Sequence, residues 1–349
     1  MGDDATNKSR SWRDDKFARH ETQKSGRLVE GLILVAVLAV MGYFALTLKP
    51  SSQDEVIVYT SQDQVYAEPI FRDFEKQTGI KVRAVYDSEA VKTVGLANRL
   101  IAERSHPQCD VFWNNEELRT RQLAAQNIFR ETNGWAATAF RTRRIVFNTN
   151  FVGRAGLPLG QNATDARQRV PTSLLELTNA NWRGKVALSY PLFGSTATHF
   201  LALRQRWGDA AWQNWCRALA ANKPFLVDGN SVVVNLVARG EAWVGLTDSD
   251  DVLAGQREGL PIESAVLRED GLMINNTVAV VRDAPHPNNA QMLFEFLQSE
   301  KVYEQLKAAG AVEEKSARIK EAELFEPDWA ALLRDLDSST TELKEIFLR

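Results

Sequence analysis

Three carboxylates fall within four positions of Gly245-Leu-Thr-Asp-Ser-Asp-Asp251, directly after an apolar segment. Carboxylates this close repel by about 1 kcal/mol in water and about 4 kcal/mol at an effective dielectric of 20. Two resolutions are open: a positive charge sits among them, or the side chains point into solvent and cap a helix. Similar polar groups follow other apolar runs. Ser61, Gln62 and Asp63 follow VIVYT, Asn114, Asn115, Glu116 and Glu117 follow CDVFW, and PLFGSTATH follows KVALSY. Singly, Asp63, Asp248 and Ser249 suit a helix N-cap as well as a ligand contact. The case for a site is that they recur at the ends of strands.

Gly194-Ser195-Thr196-Ala197-Thr198 is more specific. A glycine followed by hydroxyl residues opening a helix presents backbone N–H groups and side-chain donors together, which suits phosphate, sulfate, carbonate or carboxylate. A plain Ser/Thr N-cap would look the same. His199, further along, reads as a packing histidine. Arg141 and Arg143 alternate about Thr142 and so face one side; they reach an anion, pair with the acidic rim, or lie solvated on the surface. The sequence has no GxSxG elbow, Walker loop or HExxH, and its four histidines are scattered. Paired carboxylates without a nucleophile or a water-activating partner make an enzyme the minority reading.

These groups need elements to position them. VIVYT (56–60), IKVRAVY (80–86) and CDVFW (109–113) read as strands, separated by a helix ending at Thr78-Gly79 and another over Glu89–Ser105. A helix through Gln126 follows. That order implies right-handed crossovers and a largely parallel sheet. A second block is built alike, with strands RIVFN (144–148), KVALSY (185–190) and AWVGLT (242–247), helices over Ser195–Trp207, Ala210–Asn222 and Ser231–Arg239, then a long strand GLMINNTVAVV (271–281). Helices over Asn289–Leu297, Lys301–Ala309 and Trp329–Asp335 close the chain. Trp207, Trp212 and Trp215 sit at near-helical spacing and read as packing residues. The fold class expected is α/β with two lobes: 56–143 and 278–349 form lobe 1, and 144–277 form lobe 2. Ligands in such sheets bind beyond the carboxyl ends of the strands.

The 349 residues, 44% hydrophobic, suffice for one large or two medium domains with real cores, and with a net charge of −3 nothing global points to a nucleic-acid partner. Residues Gly31–Leu48 form an uncharged apolar run long enough to cross a bilayer. A basic tail precedes it, so 1–27 is expected in the cytoplasm, 28–48 as a single transmembrane helix (or, less well, a signal sequence), and 49–55 as a linker. The body then lies outside the cytoplasm, on the cell membrane. Cys109 and Cys216 could pair in such a compartment, but two buried free thiols is the reading favoured.

Several stretches, VYTSQ…FEKQTGIKVRAVY, DVFWNNE, GKVALSYPLFGSTA, DGNSVVVNLVARGEAWVGLTD and NNTVAVVRDAPHPNNAQMLFEFLQSE, resemble in register the bacterial extracellular solute-binding proteins of the ferric-ion-binding type. The resemblance runs from about Val56 to Leu306. It implies the type II periplasmic-binding-protein fold, two lobes closing about a hinge, a monomer that hands a small solute to the permease and ATPase subunits of an ABC importer. In ferric-binding members iron is held by a His, a Glu and two adjacent Tyr, with a synergistic anion at a helix start. By that match the metal positions fall on Asp63, Glu116 beside Asn115, Asp250 and Asp251. The anion positions fall on Ser195, Thr196, Ala197 and Asn230. Ser61, Arg141, Arg143 and Asp248 complete the expected rim. No phenolate pair is present, so a metal ion with an anion stays open beside a phosphorylated, phosphonate or amine-bearing small molecule. A membrane-tethered sensor domain would use the same cleft.

Overall fold

In a computed structural model, residues 54–87, 93–153, 168–314 and 324–348 are described. The expected basic tail, anchor and most of the linker lie outside them; among the described residues no helix is long and apolar enough to cross a membrane.

The first strands and helices alternate as the sequence pattern implies: β1 (Glu55–Thr60), α1 (Gln64–Thr78), β2 (Lys81–Tyr86), α2 (Val94–Ala102), β3 (Val111–Asn114) and α3 (Glu117–Ala125). β1 pairs in parallel with both β2 and β3. α1 stops at Gly79, whose left-handed backbone (φ 76°) lets its N–H reach the Glu75 carbonyl. Side chains alternate faces along these strands. Val58, Val111 and Trp113 therefore join Phe71, Val278 and Leu293 in one core cluster, while Tyr59 and Phe112 join Leu100 and Leu123 in another.

β4 (Trp135–Asn148) is a single strand of 14 residues, of which the sequence pattern revealed only the last part. Short β5 (Val152–Gly153) and β6 (Gln168–Arg169) pair with each other. Then come β7 (Val186–Ser189), α4 (Gly194–Trp207), α5 (Asp209–Ala221), β8 (Phe225–Val227), α6 (Asn230–Ala238), β9 (Val244–Asp248), α7 (Ser249–Arg257), β10 (Ile262–Val266) and β11 (Met273–Val280). Helices α8 (Pro287–Leu297), α9 (Glu300–Ala309) and α10 (Trp329–Phe347) end the described chain. β8 and β10 carry no counterpart in the sequence reading, whereas α7 is the helix that the N-cap alternative for Asp248 and Ser249 implied.

The strands form one path, β2-β1-β3-β11-β4-β9-β7-β8, with β10 added on β4. β4 is the crossover: its residues up to Thr142 pair antiparallel with β11, and from Arg143 onward it pairs with β9 and β10. Its far half again alternates, Ile145 and Phe147 packing with Phe200 and Trp212, and Val146 with Ala187 and Val233. The α/β expectation holds, although β11 and β4 run against their neighbours, so the sheet is mixed rather than largely parallel.

The last helix differs from expectation in length and place. It runs to Phe347, because Leu336, Ser339, Leu343 and Phe347 continue a buried stripe past the exposed Asp337, Ser338 and Thr341. Leu332, Leu336, Leu343 and Phe347 pack with Phe200 and Trp212, so the chain end lies on the second core rather than with 278–314 on the first. Trp212 and Trp215 are core residues there, with Trp207 packed against them. Cys109 and Cys216 are buried free thiols.

Candidate functional site

The strands end where the acidic and hydroxyl residues gather. Arg143 on β4 and Asp248 at the end of β9 are directly paired across the antiparallel ladder. That register, set by long-range pairing, puts a guanidinium beside a carboxylate. Arg143 Nη1 donates to Asp248 Oδ1 at 2.6 Å, and Arg141 Nε donates to Asp248 Oδ2 at 3.0 Å. Both arginines are buried, 6% and 1% exposed for Arg141 and Arg143, so the solvated-surface alternative fails. Asp248 also accepts from Ser195 Oγ (2.6 Å) and Asn230 Nδ2 (2.9 Å). Burial alone would raise its pKa, but Arg143, Arg141 and the Ser195 hydroxyl hold it below the usual carboxylate range.

Part of the repulsion in the acidic run is therefore offset from within the chain. The rest is not. Asp250 is 9% exposed; its Oδ2 accepts from Arg141 Nη1 at 3.3 Å, while its Oδ1 is buried without a hydrogen-bond partner. Burial first, then Asp248 and Asp63 against the pull of Arg141, pushes its pKa up to about 6. Asp251, which accepts from Thr247 Oγ1 at 3.3 Å, is raised well above the normal range by burial, Asp250 and Asp248. Oxygens of Asp248, Asp250 and Asp251 all lie within 4.8 Å of one another. Carboxylates this close and this dry favour a cation among them.

Helix N-termini meet at the same space. α4 and α6 begin at Gly194 and Asn230 with no side-chain cap, and so do α1 after Asp63 and α7 after Asp248. All four helix starts border one cavity of about 250 Å³, lined also by Tyr66, Asn115, Arg141, Tyr190, Phe193, Thr196, Asp250 and Asp251. Converging N-termini and a guanidinium favour an anion. Ser195, Thr196, Ser189 and Asn230 are tied into one network beneath it: Arg143 Nη2 donates to Thr196 Oγ1 at 3.1 Å, and Ser189 Oγ donates to Asn230 Oδ1 at 3.1 Å.

The structure thus brings Asp63, Asn115, Arg141, Ser195, Thr196, Asn230, Asp248, Asp250 and Asp251 around one space. Four expected site residues are elsewhere. Glu116 is the N-cap of α3: its carboxylate accepts from Leu118 N (2.6 Å) and Arg119 N (3.1 Å) and from Thr198 Oγ1 (3.2 Å). Those bonds occupy it, and it does not line the cavity, so the metal position expected there is corrected to a cap. Ser61 bonds Asn114 and Asn115 and supports the rim from behind. Ala197 N is used by the Phe193 carbonyl, within α4, leaving nothing for an anion. Arg143 sits beneath the cavity floor rather than on it. His199 is buried with Nε2 on the Asp270 carbonyl at 2.6 Å, and burial followed by Arg143 pushes its pKa down to about 3.

Tyr66 and Tyr190 were missed. Tyr190 directly follows β7, the position that the rule for strand carboxyl ends singles out, but it reads as the strand's last residue. Tyr66 lies in the first turn of α1; burial, Asp250, Asp63 and Asp251 all keep its phenol protonated.

Comparison with known proteins agrees with this architecture. The family described as bacterial extracellular solute-binding protein matches residues 55–311. The major ferric iron-binding protein of Neisseria gonorrhoeae is 24% identical over 278 residues, covering 72% of this chain and 78% of its own. Among solved structures, iron-bound HitA from Pseudomonas aeruginosa superposes with a TM-score of 0.64 at 19% identity, over 83% of this chain and 98% of its own. AfuA from Actinobacillus pleuropneumoniae, with fructose-6-phosphate bound, gives 0.72 at 17% identity, over 85% and 99%. At such identities the two structures establish the shared fold of periplasmic binding proteins and nothing about cargo. With the match spanning the whole site, this chain belongs to the bacterial extracellular solute-binding proteins.

Proposed function

We propose that this protein is the solute-binding component of an ABC importer, working outside the cytoplasm, and that its cleft captures a hard metal ion, iron(III) foremost, together with an anion. The observation that carries the reading is the Asp250 carboxylate: its Oδ1 is buried without a partner, and one of its oxygens lies within 4.8 Å of oxygens of Asp248 and Asp251. A carboxylate kept dry at a cost is accounted for by a cation that it receives. Oxygen donors suit hard cations, and the uncapped starts of α4 and α6 across the cavity suit the accompanying anion. The relative from Neisseria gonorrhoeae is named for ferric iron, which favours that metal over others. The tyrosine pair of ferric-binding members is replaced here by Asp250 and Asp251, so the metal would be held by carboxylates rather than phenolates. β4 and β11, the strands joining the two halves of the sheet, would carry the hinge on which the cleft closes.

A second reading has its own support. Arg141 and the helix starts on the cavity wall would also take the phosphate of a small organic molecule, with Asp250 and Asp251 on an amine. Titration of the protein with iron(III) in the presence of carbonate, phosphate or citrate separates the two. Uptake of one metal per chain, abolished in Asp250→Ala, supports the metal. Binding of a phosphorylated amine with metal rigorously removed supports the alternative.

A further inference from the structure

Helix α7 carries Asp250 and Asp251 in its first turn and Arg257 in its last. We propose that Arg257 is a positioning residue, a latch that locks the cargo-binding helix onto the opposite half of the molecule. Its guanidinium donates to the carbonyl of Ala308 at 3.1 Å and to that of Ala309, the last carbonyls of α9. The two helices belong to different cores. Val252 of α7 packs with Val146 and Val233, whereas Val302, Tyr303 and Leu306 of α9 pack with Val56 and Phe71.

The electrostatics favour the pair. Arg257 lies at the C-terminus of its own helix and caps the C-terminus of α9, so the negative ends of two helix dipoles converge on one cation. Close packing reinforces the contact. α9 ends at Gly310 with φ 85°, and a Cβ there would come within 2.6 Å of Arg257 Nη1 and 3.0 Å of Leu253 Cδ2. The same chain segment also grips the crossover strand. Glu313 accepts from the Thr142 backbone N–H at 2.9 Å and pairs with Arg144 at 3.3 Å, and Thr142 N also donates to Ser249 Oγ at 3.2 Å. The start of α7 is thus tied to β4, the strand on which the halves would turn, and its end to α9 of the other core. Separating the halves breaks the Arg257 contact, so it favours the closed cleft and slows escape of whatever Asp250 and Asp251 hold.

Retention of cargo rests on the solute-binding reading; the latch geometry does not. The test uses the protein with fluorophores on cysteines introduced at Lys81, which opens β2, and at Glu241, just before β9, the two strands lying on opposite sides of β11 and β4 in the sheet order; both native thiols are buried. Arg257→Ala is expected to lengthen the inter-label distance and to raise the dissociation rate of iron(III)–citrate by about threefold, the scale of a solvent-exposed charged contact, with the association rate within twofold of wild type. Arg257→Lys should recover part of the effect, and Gly310→Ala should reproduce it without touching the cavity. Asp250→Asn, by contrast, should lose affinity while keeping the inter-label distance of the empty protein. Wild-type distance and wild-type off-rate in both Arg257→Ala and Gly310→Ala would overturn the latch. If wild type takes no iron(III), the cargo reading fails, and the latch is decided by the inter-label distance of the empty proteins alone.

Discussion

Acidification from pH 7 to pH 5 should weaken cargo binding through Asp250. Its pKa lies near 6 in the empty cleft because burial and the neighbouring Asp248 and Asp63 disfavour its charge. A cation selects the ionised form, which is about 91% populated at pH 7 and about 9% at pH 5 for a group of that pKa. The contribution of Asp250 to affinity therefore falls about tenfold over this interval. Asp251 is raised too, so each proton it also releases steepens the fall. The assay is competition of the protein against citrate for iron(III) at a series of pH values, with Asp250→Asn measured alongside. The pH dependence of the metal and the chelator is common to both proteins and cancels in the ratio of their affinities. The ratio should shrink about tenfold from pH 7 to pH 5. A ratio that stays constant across the interval refutes the reasoning, whatever the absolute affinities.

Three further outcomes follow from the same geometry. Because the Asp250 pKa is raised above its unfolded value, the empty protein loses stability as pH climbs from about 4 to 6; Asp250→Asn should be more stable than wild type by up to about 3 kcal/mol at pH 7 and about half that at pH 5, measured by urea unfolding without metal. Arg143→Ala leaves the 1%-exposed Asp248 short of its closest cation and should cost about 3–5 kcal/mol, read as a drop in unfolding midpoint; a change under about 1 kcal/mol would show that the pair is not structural. Glu116→Ala removes the cap of α3 and should destabilise the protein by about 1 kcal/mol while leaving iron(III) affinity within twofold, and a large loss of affinity would restore Glu116 to the site.

Local patterning was the legible part of this chain. Gly79 marked the end of α1, the apolar runs VIVYT and CDVFW marked β1 and β3, and of the polar residues after those two strands Asp63 and Asn115 line the cavity. What local pattern cannot encode is which strands meet. The neutralisation of Asp248 depends on β4 pairing with β9 so that Arg143 stands opposite it, across 105 residues of sequence. Without that register the arginines were equally compatible with solvent. Glu116 failed for the converse reason: an acidic residue at a strand end and an acidic N-cap have the same sequence signature, and only the Leu118 and Arg119 N–H bonds separate them. β8, three residues long, offered no periodicity to read. α10 was cut short at Asp335 because its polar face arrives as a block, and only the buried stripe through Leu336, Leu343 and Phe347 shows that the helix continues.

The central claim is that a cation sits among Asp248, Asp250 and Asp251 with an anion across the cavity. Its most direct test is native mass spectrometry, with elemental analysis, of the protein purified without chelators from cells grown in iron-replete medium. One metal ion per chain accompanied by an anion mass, both lost in Asp250→Asn, is the result predicted. A protein recovered with a metal-free organic ligand, or metal retained undiminished in the variant, contradicts it.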